Sequence, residues 1–305
     1  MTHLHRYHLL DVFTDEIFGG NQLAVFPDAA TIAPELMQPI ARELNLSETV
    51  FVLPSFTDGA THRMRIFTPA SELPFAGHPT IGTACLLAAL GQVELRGGNA
   101  SIVFEQGAGN VPVTVHADGQ RCSAQLTAAR RPELREPGLT REQLAALLSL
   151  DADDVLDDAR HAPMAVSTGS AFLFVAVRDR AALARCRLDL TRWARDLESA
   201  WARNVFVYTG VEEIDAAPIR ARMFAPALGI PEDPATGSAA TALAGLLASR
   251  IGRDGVFTWR MEQGVEMGRP SRLEIEADVR GGVVTATRVG GAAVIVGEGM
   301  LRLPR

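Results

Sequence analysis

His78 and Asp233 each stand directly before a proline, and each leads into a run of small residues. One run is His78-Pro79-Thr80-Ile81-Gly82-Thr83-Ala84 and the other is Asp233-Pro234-Ala235-Thr236-Gly237-Ser238-Ala239. Imidazole and carboxylate side chains can both donate, accept and exchange protons. Proline opens a helix at no loss, because its missing N–H would have no helical partner there. The first amides of a helix point outward and carry partial positive charge, so such an entry attracts anions. Gly82 and Gly237 would let a ligand approach the backbone closely, with Thr83 and Ser238 adding hydroxyl donors. Two such entries acting together would hold a carboxylate, or an enolate-like intermediate, by electrostatics. One turn alone reads more simply as a common His-Pro or Asp-Pro turn with a packing glycine. The matched pair favours a functional role.

A third group is Glu48, in Leu44-Asn45-Leu46-Ser47-Glu48-Thr49-Val50-Phe51. A carboxylate where a helix hands over to a buried strand suits a general base. In isolation it would read as a surface or capping carboxylate.

The elements that must position these groups occur twice. Arg63-Met64-Arg65-Ile66-Phe67-Thr68-Pro69-Ala70 matches Arg220-Ala221-Arg222-Met223-Phe224-Ala225-Pro226-Ala227, and Glu105-Gln106-Gly107 matches Glu262-Gln263-Gly264, both at an offset of 157. Val50-Phe51-Val52 matches Val205-Phe206-Val207 at 155, as does His78 onward against Asp233 onward. Ordered blocks at nearly one offset imply a duplication, and hence two pseudo-symmetric lobes. In this alignment Glu48 faces Arg203, so the carboxylate belongs to one copy only. Short runs rich in β-branched or aromatic residues predict strands at 63–67, 102–105, 111–115, 172–177, 205–208 and 220–224. Residues 82–90 and 237–248 are small or apolar all round, which predicts one buried helix in each lobe. The capping box at Thr140 predicts a helix over 140–149. Another is expected over 33–44, kinked or restarted at Pro39. The boundary is expected in the polar stretch 116–121, giving an N-terminal lobe 1–118 and a C-terminal lobe 119–288. The strand-like tail, 289–305, is a candidate to complete the first lobe.

With 47% hydrophobic residues in 305, the chain can bury a substantial core. A net charge of −7, scattered along the chain, excludes the basic footprint of a nucleic-acid or anionic-membrane partner. Cys85, Cys122 and Cys186 are odd in number and widely spaced, with no CxxC, which argues against a disulfide framework or structural zinc. No apolar run reads as a signal peptide or membrane span, and a cytoplasmic protein is expected.

Longer motifs carry a resemblance along essentially the whole chain. They are Phe18-Gly19-Gly20-Asn21-Gln22-Leu23-Ala24-Val25, Leu46-Ser47-Glu48-Thr49-Val50-Phe51, Glu72-Leu73-Pro74-Phe75-Ala76-Gly77-His78-Pro79-Thr80, Glu232-Asp233-Pro234-Ala235-Thr236-Gly237-Ser238-Ala239 and Met267-Gly268-Arg269-Pro270-Ser271. In these the chain resembles the PhzF family of phenazine-biosynthesis-type isomerases. The resemblance implies the α+β fold of diaminopimelate epimerase, in which each of two lobes wraps a curved, mostly antiparallel sheet around a central helix, with the active site between them. It also implies a homodimer and isomerisation by proton transfer with neither cofactor nor metal. The family's characterised activity isomerises trans-2,3-dihydro-3-hydroxyanthranilate, so a small carboxylate-bearing substrate is expected. The family's catalytic glutamate falls on Glu48, and its histidine, aspartate and serine fall on His78, Asp233 and Ser238. Asn21, Ser47 and Gly77 fall at substrate-contacting positions beside them, with Gly82, Thr83 and Gly237. Gln22 departs from the proline common in the family, which implies a local loop change. Racemase relatives use paired cysteines at the two helix starts. These turns carry none, so the cysteines read as packing residues. A non-catalytic metabolite-binding protein, or an epimerase lacking the cysteine pair, are the alternatives.

Overall fold

The computed structural model describes residues 2–119, 121–210 and 218–304. Gln120 of the expected boundary stretch and Arg305 of the tail lie outside the described residues. The chain divides into two compact units. Unit 1 comprises residues up to Ala129 together with those from Val289 onward, and unit 2 is Arg130–Arg288. The expected boundary falls instead within a hairpin, where Asp118 pairs with Arg121. A polar Asp-Gly signal marks any tight turn, and here the turn joins two strands of the same unit.

Unit 1 contains β1 (Thr2–Val12), β2 (Asn21–Phe26), α1 (Pro34–Leu44), β3 (Glu48–Leu53), β4 (His62–Phe67), β5 (Glu72–Leu73), α2 (Gly77–Ala89), β6 (Asn99–Gln106), β7 (Gly109–Asp118) and β8 (Arg121–Thr127). Unit 2 contains β9 (Glu133–Arg135), α3 (Arg141–Leu147), β10 (Met164–Ser167), β11 (Ala171–Ala176), α4 (Arg180–Arg185), α5 (Leu190–Asp196), β12 (Asn204–Thr209), β13 (Ile219–Ala225), β14 (Ile230–Asp233), α6 (Gly237–Ser249), β15 (Gly255–Gln263) and β16 (Ser271–Arg280). The last strand, β17 (Val283–Pro304), begins in unit 2 and ends in unit 1.

The strands of unit 1 close into a ring. β17 pairs with β1 and β1 with β2, β2 runs parallel to β3, β3 pairs with β4, β4 runs parallel to β6, β6 pairs with β7 and β7 with β8, and β8 returns to β17. Closure leaves no open edge. Helix α2 packs against β1, β2, β3, β7 and β8. Residues 77–88 of this helix are all buried, as its all-round apolar sequence requires. Packing is close enough that a side chain at Gly82 would meet Val12 Cγ2 at 2.6 Å and Leu23 Cδ2 at 2.7 Å. Outside the ring, α1 covers Phe26, Phe51 and Phe67. The rings of Phe26 and Phe51 stack at 5.0 Å, and Phe67 meets Phe51 edge-on at 5.5 Å. Helix α1 is a single helix rather than one restarted at Pro39. Pro39 is exposed, so water can satisfy the carbonyl that its ring leaves unbonded.

In unit 2 the sheet runs β9–β10–β11–β12–β13–β15–β16, with parallel steps at β11–β12 and β13–β15. Helix α6 packs on β10, β11, β15 and β16. A second cluster, around Leu144, Leu183 and Trp193, seats α3, α4 and α5 on the other face of β12. Thr140 forms the expected capping box with Gln143.

The two units repeat one set of contacts. Arg65 grips Glu72 with two hydrogen bonds of 2.7 Å, and Arg222 grips Glu232 with two of 2.8 Å. The same guanidinium groups stack over Phe67 and Phe224, at 4.9 and 5.1 Å. Gly107 rests on Pro74, and Gly264 on Pro234. These contacts correct the alignment of the turns. Pro234 corresponds to Pro74 rather than Pro79, and the two 13-residue helices start at Gly77 and Gly237, an offset of 160. Gly82 and Thr83 therefore lie inside α2, in its second turn, rather than at its entry.

Gly264 has φ +75°, and an added Cβ would lie 2.5 Å from Arg269 O and 2.6 Å from Pro234 O. Gly107 lacks the positive φ, and its nearest neighbour is Pro74 Cα at 3.0 Å. Gly264→Ala should therefore cost about 2 kcal/mol or more, and more than Gly107→Ala, in urea unfolding. A smaller loss for Gly264→Ala would contradict this packing.

Arg288 hydrogen-bonds both Asp278 oxygens, at 2.7 and 2.8 Å, and also Glu276. The guanidinium holds the Asp278 carboxyl below its usual range. A depressed folded-state pKa contributes stability above the unfolded value, and that stability is lost as pH falls through the folded value. The stability gap between wild type and Arg288→Gln should thus be full at neutral pH and shrink below pH ~4. Urea midpoints across pH would test this, and a gap that widens in acid would refute it.

Candidate functional site

Glu48 is the first residue of β3 and Asn21 the first of β2, and these parallel strands pair with Leu23 opposite Glu48. The chain reaches Glu48 from α1 through Asn45, whose left-handed conformation (φ 51°) ends the helix. Ser47 is half-buried immediately before it. The aromatic stack behind β2 and β3 fixes both strands, so both polar side chains start from a rigid base.

His78 is the second residue of α2, after the buried Gly77. Its ring lies between the other two groups, with Nε2 3.0 Å from Glu48 Oε2 and Nδ1 3.3 Å from Asn21 Nδ2. An amide nitrogen only donates, so a hydrogen bond from Asn21 needs Nδ1 as its acceptor, which in the neutral ring would put the proton on Nε2, toward Glu48. Glu48 Oε2 has no aligned hydrogen bond among the described residues, so its approach to His78 is a close polar contact. All three side chains are buried. Asn21, read from sequence as a substrate contact, is wholly buried and set against the histidine ring. The outward-pointing amides of α2 belong to Gly77 and His78, because Pro79 has none and Thr80 begins the helical ladder.

The entry to α2 is held from inside. Gln106 donates to Thr80 Oγ1 at 2.7 Å, and Thr80 Oγ1 donates to Ala76 O at 2.7 Å. Thr83 is fully buried, and its hydroxyl has no hydrogen bond among the described residues.

In unit 2, Asp233 ends β14 and accepts from Thr236 Oγ1 at 2.5 Å. Gln263 donates to Asp233 O at 2.7 Å and to Thr236 Oγ1 at 3.0 Å, and its Oε1 accepts from Thr236 N at 3.1 Å. Ser271 Oγ donates to Pro234 O at 2.8 Å. Gly237 opens α6 and Ser238 follows it, so Ser238 takes the place in α6 that His78 takes in α2. Asp233 corresponds to Leu73, not to His78. Strand registers likewise place Asn204, the first residue of β12, where Glu48 stands in unit 1. The earlier pairing of Glu48 with Arg203 was one residue out.

Sequence reading missed Thr80, Gln106, Asn204, Thr236, Gln263 and Ser271 as parts of these sites. The repeated Glu-Gln-Gly block was the one available signal, and it marks the glutamine that braces each helix entry. Among the described residues no cysteine stands at the start of α2 or α6. Burial pushes the Cys186 thiol up to about 12. Among the described residues no group of three or more His, Cys, Asp or Glu is placed to hold a metal. Among the described residues no helix is long and apolar enough to cross a membrane.

The model of the PhzC-PhzF family, described as phenazine biosynthesis-like protein, matches residues 10–299. A protein of Pseudomonas aeruginosa named trans-2,3-dihydro-3-hydroxyanthranilate isomerase is 38% identical, over 97% of this chain and 99% of its own. An uncharacterized isomerase of Mesorhizobium japonicum is 39% identical, over 97% and 98%. The crystal structure of a Bacillus anthracis phenazine biosynthesis protein of the PhzF family superposes with a TM-score of 0.86 at 25% identity, covering 98% of this chain and 99% of that one.

Nitrogen-15 spectra of the imidazoles should show His78 in the Nε2–H form, and Asn21→Leu should abolish that preference. An unchanged ring signal in the variant would refute a hydrogen bond from Asn21 to the ring. Gln263→Leu leaves the Asp233 carbonyl and the Thr236 amide without their side-chain partner, and should cost about 1–3 kcal/mol in urea unfolding.

Proposed function

Because the chain belongs to the PhzC-PhzF family of phenazine biosynthesis-like proteins, we propose that it is an isomerase that moves a proton within a small carboxylate-bearing metabolite, with Glu48 as the general acid and base. The observation that carries this reading is the buried Glu48–His78 contact of 3.0 Å at the start of α2. Glu48 Oε2 faces the histidine, which leaves the other carboxylate oxygen to take a proton from a carbon acid. His78 Nε2, 3.0 Å from Glu48 Oε2, steadies the carboxylate while it is charged, and Asn21 holds the other ring nitrogen. A carbon becomes acidic enough when a carboxylate or unsaturated system beside it delocalises the resulting charge. The Gly77 amide at the positive end of α2 suits an anionic substrate group. Glu48, once protonated, returns the proton to a second carbon, which shifts the double bond without net addition or loss of atoms. In unit 2, the start of α6 offers the Gly237 amide and the Ser238 hydroxyl as further anion donors. Asp233, braced by Thr236 and Gln263, is a second group able to exchange a proton.

The repeated set of arginine, glutamate, proline and glycine contacts supports reading the two units as copies of one ancestral unit. On this reading each copy is a sheet around a buried helix, and the chemistry resides where the copies differ.

The test is proton transfer in deuterated water, with trans-2,3-dihydro-3-hydroxyanthranilate and a panel of small unsaturated carboxylates as probes. Turnover should either place solvent deuterium on carbon in the product, where the Glu48 proton exchanges before its return, or carry the substrate's own hydrogen label from one carbon to the other. Glu48→Gln should lower the rate roughly a thousandfold, within the range expected for loss of a general base. Wild-type turnover by Glu48→Gln would sink the proposal, and so would binding without turnover by the intact protein.

A further inference from the structure

Arg63 and Arg220 hold equivalent places in the two units. Each lies opposite a glutamate across a parallel strand pair, Arg63 opposite Glu105 and Arg220 opposite Glu262. Beyond those pairs the units differ. In unit 2 the chain passes from β15 to β16 through residues 264–270, and this loop brings Glu266 to the arginine. Arg220 therefore meets two carboxylates, Glu262 at 3.2 Å and Glu266 at 3.7 Å, and its side chain is 14% exposed. In unit 1, β6 turns into β7 through Gly107 and Ala108 alone, which supply no carboxylate. Arg63 stays 3.8 Å from Glu105, and its side chain is 33% exposed. Its guanidinium makes no hydrogen bond among the described residues. Glu105 is engaged elsewhere, because its Oε2 accepts from Ser55 Oγ at 2.8 Å, Phe56 N at 2.8 Å and Thr57 N at 3.0 Å. The Phe56 ring stacks on the Arg63 guanidinium at 4.8 Å. Stacking occupies the face of a guanidinium and leaves its N–H edges free. Arg63 lines a cavity of about 430 Å³ with Arg65, Glu72, Pro74, Glu105 and Gln106. Arg65 is already held by Glu72, so Arg63 is the lining arginine with donors to offer.

We propose that this cavity binds a small monocarboxylate, whose carboxylate takes on Arg63 the place that Glu266 takes on Arg220. A guanidinium edge and a carboxylate match in two parallel hydrogen bonds. The cavity lies within the size range of small-molecule sites. A second negative charge on the ligand would face Glu72 and Glu105, so a dicarboxylate is disfavoured. Glu48, His78 and Asn21 do not line this cavity, so the site is separate from theirs. Pro74 and Gln106 do line it, and both help to set where α2 begins. An occupant would thus brace the entry of the helix that carries His78. The site does not depend on the proposed isomerisation.

The test uses the full-length protein labelled with nitrogen-15. Propionate, succinate and chloride are titrated in at matched ionic strength, and the Nε–H resonances of Arg63 and Arg220 are followed. Propionate should move the Arg63 resonance to saturation and leave that of Arg220 in place. It should bind at least roughly tenfold more tightly than succinate. Propionate should also raise the thermal midpoint of the wild type more than that of Arg63→Gln, since a ligand stabilises the fold that binds it. That difference separates this site from any carboxylate binding beside Glu48. The proposal is overturned if chloride moves the Arg63 resonance as far as propionate does, or if propionate fails to saturate it by about 100 mM. Succinate binding as tightly as propionate, or equal stabilisation of Arg63→Gln and the wild type, would overturn it too. The wild-type titration decides the question even where the substituted chain fails to fold.

Discussion

In each unit a glycine backbone lies directly on a proline, Gly107 on Pro74 and Gly264 on Pro234, with tight space for a β-carbon at the first and none at the second. The proline belongs to the turn that enters the buried helix, and the glycine follows a strand that also supplies a bracing glutamine. Backbone-to-backbone contact of this kind cannot slide without opening a void or a clash, because interiors are close-packed. It therefore sets the residue at which each helix starts. That start in turn decides which side chain stands second in the helix, next to the outward-pointing amides. The arginine–glutamate clamps on either side, Arg65 with Glu72 and Arg222 with Glu232, hold the two arms of each turn in the same register.

On this common frame the units carry different chemistry. The second helical residue is His78 in one and Ser238 in the other. The first residue of the neighbouring strand is Glu48 in one and Asn204 in the other. The strand before the turn ends in Leu73 or Asp233. Unit 1 thus gathers a carboxylate, an imidazole and an amide, whereas unit 2 gathers a braced carboxylate and hydroxyls. The polar groups are buried, where an unsatisfied partner is expensive. Their geometry is accordingly rigid, and each helix entry carries its own glutamine brace, Gln106 or Gln263.

Much of this was legible in the chain. The buried helices showed as apolar on all sides, the strands as short β-branched runs, and the repeat as ordered blocks. Glu48, His78, Asp233 and Ser238 stood within long motifs. The reading failed where local similarity competed with spatial equivalence. His78-Pro79 and Asp233-Pro234 look alike, yet the prolines occupy different places, because helix entry is set by the glycine beneath the turn and not by the dipeptide itself. The same error moved Gly82 and Thr83 to a helix start they do not occupy. Polar residues 116–121 look like a linker because hairpin turns and linkers share composition. The roles of Gln106, Gln263 and Thr236 were hidden because a buried glutamine cannot be told from an exposed one without its partners.

By itself, then, the sequence determined the kinds of element, the ordered similar blocks and the side chains proposed to exchange protons. Those follow from side-chain chemistry and from periodicities of a few residues along the chain. Only the tertiary structure decided which groups meet: Glu48 with His78, Asn21 on the imidazole, and Asp233 with Gln263. Such pairs lie tens of residues apart, and their contact depends on strand register and on where a buried helix begins. Both are fixed by packing across the whole unit and not by any local run of residues.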